Sequence, residues 1–127
     1  MPKRKPKKKT LINKADKIAR DIVKAKGYCE ICGKSNGQLH CHHVIGRTNK
    51  NLRWRLENLI CICAGCHKMN AGNVHDDPIE FLKWFEENRP DNYKYINKER
   101  NIIWDRDYDK VLKYLNDKLK ELKEAKW

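Results

Sequence analysis

The chain has 127 residues, the size of one domain, with 36% of them charged and a mean hydropathy of −0.95, so a metal or a partner is expected to help hold so polar a fold together. Its net charge of +12, from 29 Lys plus Arg against 17 Asp plus Glu, points to a polyanionic partner. No segment approaches a membrane span and no apolar stretch follows the basic start, which argues against membrane and secreted classes and predicts a cytoplasmic location.

The opening "MPKRKPKKKT" carries Lys3, Arg4, Lys5, Lys7, Lys8 and Lys9. Prolines and like charges predict a disordered basic arm over residues 1–9, suited to nucleic-acid contact. Removing these six residues leaves +6, so the rest of the chain is basic too. Lysine exceeds arginine and asparagine is frequent, which suggests a low-GC genome, bacterial or phage.

From about Leu11 to Lys26 the apolar residues Ala15, Ile18, Ala19 and Ile22 recur at helix spacing, ahead of Gly27. "YCEICGK" is a tight knuckle, "SNGQ" a turn and "LHCHHVI" a strand. "GRTNKN" reads as a loop, and "LRWRLENLICI" leads to a second knuckle, "CAGCHK", with a short helix from about Ala64 to Ala71 stopped by Gly72. "DDPIEFLKWFEENRP" is a helix: Asp77 caps it, Pro78 takes the first position and Glu80 closes a capping box. A shorter helix is expected over residues 92–99. A last one runs from about Arg106 to Lys126, with Tyr108, Val111, Leu112, Leu115, Leu119 and Leu122 on one face.

Cys29, Cys32, Cys63 and Cys66 form two C-x-x-C pairs. In a reducing compartment such pairs read as ligands of one tetrahedral structural zinc rather than as disulfides. Cys41 and Cys61 fall outside this spacing; each is close enough to a proposed site to substitute as a ligand, but they read first as buried strand thiols.

Four cysteines fill a structural zinc, so His42, His43 and His67 are surplus. Adjacent strand residues point to opposite faces, so His42 and His43 do not easily share an ion. One can hold a metal while the other stays free. His67, fixed directly after Cys66, is the natural second ligand of that metal. A divalent ion beside a free imidazole is what phosphodiester hydrolysis needs: the ion stabilises developing charge, and the imidazole takes a proton from water. His75 lies eight residues after His67, too far along one helix for the same ion. It reads first as a residue at the start of the next helix, with Gly72 able to turn the chain back. His40 reads as a surface or DNA-facing residue. Arg47, Lys50, Arg53 and Arg55 form a basic cluster that would flank a scissile phosphate, with Arg47 as the direct contact.

The pair His42–His43, then Asn58 in "LENLI", then "CxxCH" resemble the motif of the HNH nucleases, the ββα-metal finger. The zinc pairs resemble the subset that includes phage endonuclease VII, a junction-resolving enzyme, and phage recombination-type HNH nucleases. The resemblance spans about residues 20–90. It implies an α+β fold: a small ββα-metal (His-Me finger) core stabilised by a four-cysteine zinc site and flanked by N- and C-terminal helices. It also implies His42 and His67 as catalytic metal ligands, His43 as general base, and Asn58 as a brace of the loop that holds the base. Ala71 stands where many relatives carry a further ligand, which would leave two protein ligands and favour Mg2+ or Mn2+. The implied activity is an endonuclease on double-stranded or branched DNA, leaving 5′-phosphate and 3′-hydroxyl ends. A non-catalytic zinc-dependent nucleic-acid-binding module and an RNase on the same fold are the alternatives. The organisation expected is an arm (1–9), the zinc-stabilised nuclease domain with its N-terminal helix (10–90) and a helical extension (91–127). The apolar face of the last helix suits either packing on its own domain or pairing of two subunits as a homodimer, since one active site cuts one strand.

Overall fold

A two-stranded antiparallel hairpin, β1 (Leu39–His43) and β2 (Leu59–Cys63), lies at the centre of the computed structural model, which describes residues 7–69 and 72–125. The register sets Cys41 opposite Cys61, His42 opposite Ile60 and His43 opposite Leu59. β2 reads Leu-Ile-Cys-Ile-Cys, and all five residues are buried. A run this apolar and β-branched suits a strand covered on both faces.

Helices cover each face. Ile60 and Ile62 pack with Leu52, Val74, Phe81, Phe85 and Ile96, drawing on α3 (Pro78–Asn88) and α4 (Pro90–Glu99). Leu59 packs with Ala15, Ala19, Trp54 and Leu115, from α1 (Lys8–Lys24), the segment just after the short helix α2 (Lys50–Arg53), and α5 (Tyr108–Ala125). Full burial of a side chain such as Phe85 contributes roughly 1.5–3 kcal/mol.

α3 begins with the expected cap: the Asp77 carboxylate accepts from the Glu80 N–H at 3.2 Å, and Pro78 takes the first position, but the Asp77 N–H donates to the Asn73 carbonyl at 2.9 Å, so Glu80 does not close the capping box. α4 starts at Pro90, two residues earlier than expected, because proline is tolerated in a first turn. α1 also starts early. Lys8 and Lys9, assigned above to a disordered arm, lie in its first turn, since lysine is a good helix former and the last proline of the basic run is at position 6. Lys7 is its N-cap. Lys3, Arg4 and Lys5 lie outside the described residues, as does Ala71.

Arg106 has φ +63, which no α-helix accommodates, so α5 begins at Tyr108 rather than at Arg106. Its apolar face packs Val111, Leu112 and Leu115 against Ala15, Ala19 and neighbouring residues of α1. The surface that suggested a homodimer is thus used within the chain. Among the described residues no helix is long and apolar enough to cross a membrane.

Candidate functional site

Two groups of metal-ligating side chains lie against the hairpin. The first is Cys29, Cys32, Cys63 and Cys66, whose sulfur atoms all lie within 4.8 Å of one another. Cys32 Sγ and Cys63 Sγ are 3.7 Å apart, and zinc–sulfur bonds of ~2.3 Å in a tetrahedron require an edge of ~3.8 Å. The two knuckles are equivalent: the Cys32 N–H points to Cys29 Sγ at 3.5 Å and the Cys66 N–H to Cys63 Sγ at 3.4 Å. Gly33, at φ +79, supplies the left-handed backbone that closes the first knuckle.

Glu30 hooks that knuckle onto β2. Its N–H donates to the Cys61 carbonyl at 2.8 Å, and its carboxylate accepts from the Cys61 N–H at 2.7 Å. Burial opposes the Cys29 thiolate, but N–H groups of Cys32, Cys63 and Ile31 outweigh it and bring its pKa down to about 7. Burial pushes the Cys66 thiol up, and the thiols of Cys63 and Cys32 add to the effect. Four such thiols deprotonate together only around a cation, so the group fits a zinc ion. Cys61 is buried and Cys41 half-buried; they face each other across the strands, outside the four-sulfur group.

The second group lines a cleft of about 380 Å3 that also holds His43, Arg47 and Asp16. His42, His67 and His75 each offer a ring nitrogen, and these lie within 4.8 Å of one another. The short helix expected there is a single π-helical turn, Gly65–Met69, which carries His67; such turns are frequent at functional sites. His67 Nε2 is 2.9 Å from His75 Nε2, and its Nδ1 is 2.8 Å from His40 Nδ1. Gly72, at φ +73, stands between them, and the chain returns to bring His75 onto His67. His75 is therefore part of the cluster, not simply a residue ahead of the next helix. His40 is not simply surface-facing: it lies on the strand face of His42 and meets His67 from behind.

Burial, then His67 and His75, lower the pKa of His42 to about 3. Burial, then His75 and His40, lower that of His67 to about 4. Burial also lowers His40, with Lys24 and Lys68 adding to it. These imidazoles are neutral at physiological pH, the form that binds metal. Three convergent imidazoles with no carboxylate in the group fit a first-row transition-metal ion better than Mg2+.

His43 leaves the strand on the opposite face from His42. His42 packs its ring edge-on to Phe81 at 5.3 Å, whereas His43 Nε2 donates to the Arg53 carbonyl at 3.0 Å. That bond assigns the proton to Nε2 and leaves Nδ1 as the lone pair. Burial lowers the His43 pKa, and the Arg53 carbonyl offsets this in part.

Asn58 is completely buried and makes three hydrogen bonds. Its Oδ1 accepts from the Ile45 N–H at 2.7 Å, and its Nδ2 donates to the carbonyls of Ile45 at 3.0 Å and Leu52 at 3.2 Å. It thus ties both ends of the segment that joins His43 to Arg53.

Arg53 corrects an expectation. Its Nε and NH2 form a bidentate pair with Asp16 at 3.1 and 2.7 Å, and Trp54 Nε1 donates to the same carboxylate at 2.8 Å. The guanidinium is therefore committed to α1 rather than free for a phosphate. Nothing local in the sequence pairs positions 16 and 53; only the docking of α1 does. Arg47 is exposed and lines the cleft with His43. Lys50 and Arg55 are exposed, with Lys50 Nζ 6.0 Å from the Trp104 ring and the Arg55 guanidinium 4.5 Å from the Tyr114 ring.

Together these features describe a small α+β domain in which a hairpin and the helical turn after it carry a four-cysteine frame and a histidine cleft, consistent with the ββα-metal fold. Residues 29–71 match the family model described as HNH endonuclease. That segment, about a third of the chain, holds both knuckles, His42, His43, Asn58 and His67, and it supports placing the chain with the HNH family. No curated protein and no solved structure gives a match.

Proposed function

We propose that this chain is a metal-dependent endonuclease that hydrolyses phosphodiester bonds of DNA and leaves 5′-phosphate and 3′-hydroxyl ends. One observation carries the reading. An imidazole with its Nε2 proton fixed on a backbone carbonyl lines the same cleft as three convergent imidazoles.

His42, His67 and His75 would hold the ion. When bound, it would stabilise the charge that develops on the phosphate and on the leaving oxygen. His40 accepts the Nδ1 proton of His67, which presents Nε2 toward His42 and His75 and supplies the outer hydrogen bond that metal-ligating histidines need. His43 takes a proton at Nδ1 from the attacking water. Water oxygen bonds to phosphorus, the bond from phosphorus to the 3′-oxygen breaks, and solvent protonates the leaving oxygen. Arg47 binds a non-bridging phosphate oxygen. Asn58 keeps the segment between His43 and Arg53 in one shape, so the base does not drift. The four-cysteine frame, holding Zn2+, fixes the position of His67 through Cys66.

The donor set favours Mn2+ or another first-row transition ion over Mg2+. The zinc pairs flanking the histidines support a branched or otherwise distorted duplex as substrate, in likeness to the junction-resolving and recombination-type nucleases, and a phage or bacterial source. Incubating the protein with plasmid, four-way junction DNA and RNA, each with Mg2+, Mn2+ or no added metal, tests the reading. Metal-dependent DNA cleavage supports it. Binding without cleavage makes the chain a zinc-dependent binding module, and cleavage of RNA alone makes it an RNase.

A further inference from the structure

The segment between α4 and α5 presents apolar side chains to water. Ile103 is 91% exposed and Ile102 47% exposed. Exposure of this kind opposes folding and gains nothing within the chain.

The segment is held at both ends. Asn49 Nδ2 donates to the Arg100 carbonyl at 2.9 Å, and Asn51 Nδ2 to the Glu99 carbonyl at 3.0 Å. Trp104 packs on Trp54 and Tyr108, with ring centroids 5.5 and 5.0 Å away. Asp105 accepts from the Asp107 N–H at 3.0 Å and from Lys110 at 3.1 Å. Arg106, in left-handed backbone at φ +63, lies between Asp105 and Asp107 at the end of the segment. Ile103 therefore projects from a clamped backbone.

An open hollow of about 510 Å3 lies beside it. Lys50, Arg100 and Arg106 supply its charge, and among the described residues no carboxylate lines it. Asn49 and Lys50 belong to the segment that runs on from His43 and Arg47, so the basic surface is continuous in the chain with the cleft. Two copies meeting here by a two-fold axis would set Lys50, Arg100 and Arg106 against their own kind. Phosphates complement that charge.

We propose that Ile103 is a wedge that enters a base step of double-stranded DNA, while Lys50, Arg100 and Arg106 hold the flanking phosphates. The inference rests on the nuclease reading above and narrows its substrate. Apolar wedges unstack a base step and bend the duplex, and the cost depends on how stiff the step already is. A junction, mismatch or nick is already unstacked, so such DNA binds more tightly than continuous duplex. The bend draws the next phosphates along the basic surface toward Arg47.

The test uses the full chain carrying His43→Ala, so that DNA stays intact. It is bound to duplexes with 2-aminopurine placed at each successive position. Fluorescence rises at one step, and adding Ile103→Ala returns it to the level of free duplex while affinity stays within about tenfold. The double variant also loses its preference for junction DNA. Ile103 is almost fully exposed, so its replacement leaves folding intact. An equal rise with Ile103→Ala, a bound duplex with no rise at any position, or a rise with RNA duplex alone overturns the wedge. So does sedimentation showing that Ile103→Ala turns a dimer into a monomer. Wild-type cleavage without a fluorescence rise removes the wedge alone. A wild-type protein that neither binds nor cuts DNA removes the nuclease reading and the wedge with it.

Discussion

His43 Nε2 donates to the backbone carbonyl of Arg53 at 3.0 Å, and the Arg53 side chain is in turn held by Asp16 on α1. A helix outside the segment that matches the HNH model thus fixes the residue that orients the proposed base. His43→Ala is expected to fold and to bind DNA as the wild type does, but to lose cleavage by at least ~10²-fold. Cleavage assays beside a binding isotherm check this. Wild-type cleavage in the variant would remove His43 from the mechanism.

The two metal groups are expected to separate by mutation. Cys63→Ala should unfold the domain, because structural zinc supplies folding free energy. His67→Ala should keep its zinc and its melting transition, yet lose metal-dependent cleavage. Zinc content and thermal melts of both variants decide it, and equal zinc loss would put His67 in the structural site.

His75→Ala should weaken binding at the histidine site by at least ~10-fold, since losing a direct imidazole is no milder than losing an outer-shell partner. Manganese affinity, measured by titration calorimetry with the four-cysteine site zinc-loaded, reads this out. An unchanged affinity would leave His42 and His67 as the only protein ligands.

Asn58→Leu removes the side-chain partner of the Ile45 N–H and C=O in a fully buried place, while the Leu52 carbonyl keeps the Arg55 N–H at 3.1 Å. Each group left unpaired costs about 1–3 kcal/mol, so the variant should be markedly less stable to urea. Its cleavage should fall further than its folded fraction, since the segment carrying the base loses its brace. A change in stability within error would mean that the three hydrogen bonds contribute little.

His42 and His67 give stability a pH dependence. Their native pKa values, about 3 and about 4, lie below the ordinary 6.5, so the unfolded chain binds more protons between those limits. Stability is therefore highest above 6.5 and falls as pH drops toward 4. Melting midpoints across this range should decline more steeply for the wild type than for His67→Ala. Parallel slopes would contradict the assignment of His67 as a buried neutral imidazole.

The sequence by itself determined the features that depend on local spacing. Two C-x-x-C pairs announce a four-sulfur group, because each knuckle brings two thiols together without help from the rest of the fold. Strand alternation put His42 and His43 on opposite faces, and the register bears that out. The Asp77–Pro78 start of α3 follows from the hydrogen bonds that a helix N-terminus lacks. The role of Asn58 as a brace was legible only through the family resemblance, since a lone asparagine before a strand has many uses.

Tertiary structure decided what depends on the chain coming back on itself. Gly72 permits a reversal that the sequence does not compel, and the observed reversal adds His75 to His42 and His67. His40 meets His67 because the knuckle after β2 folds over the neighbouring strand. Asp16 reaches Arg53 because α1 lies flat on one face of the hairpin, and this draws one member of the expected basic cluster into an internal ion pair. Periodicity and capping are set within a few residues along the chain. Contacts between positions 37 or 27 residues apart depend on how whole elements dock, and that is settled by burial of the two apolar faces of β2.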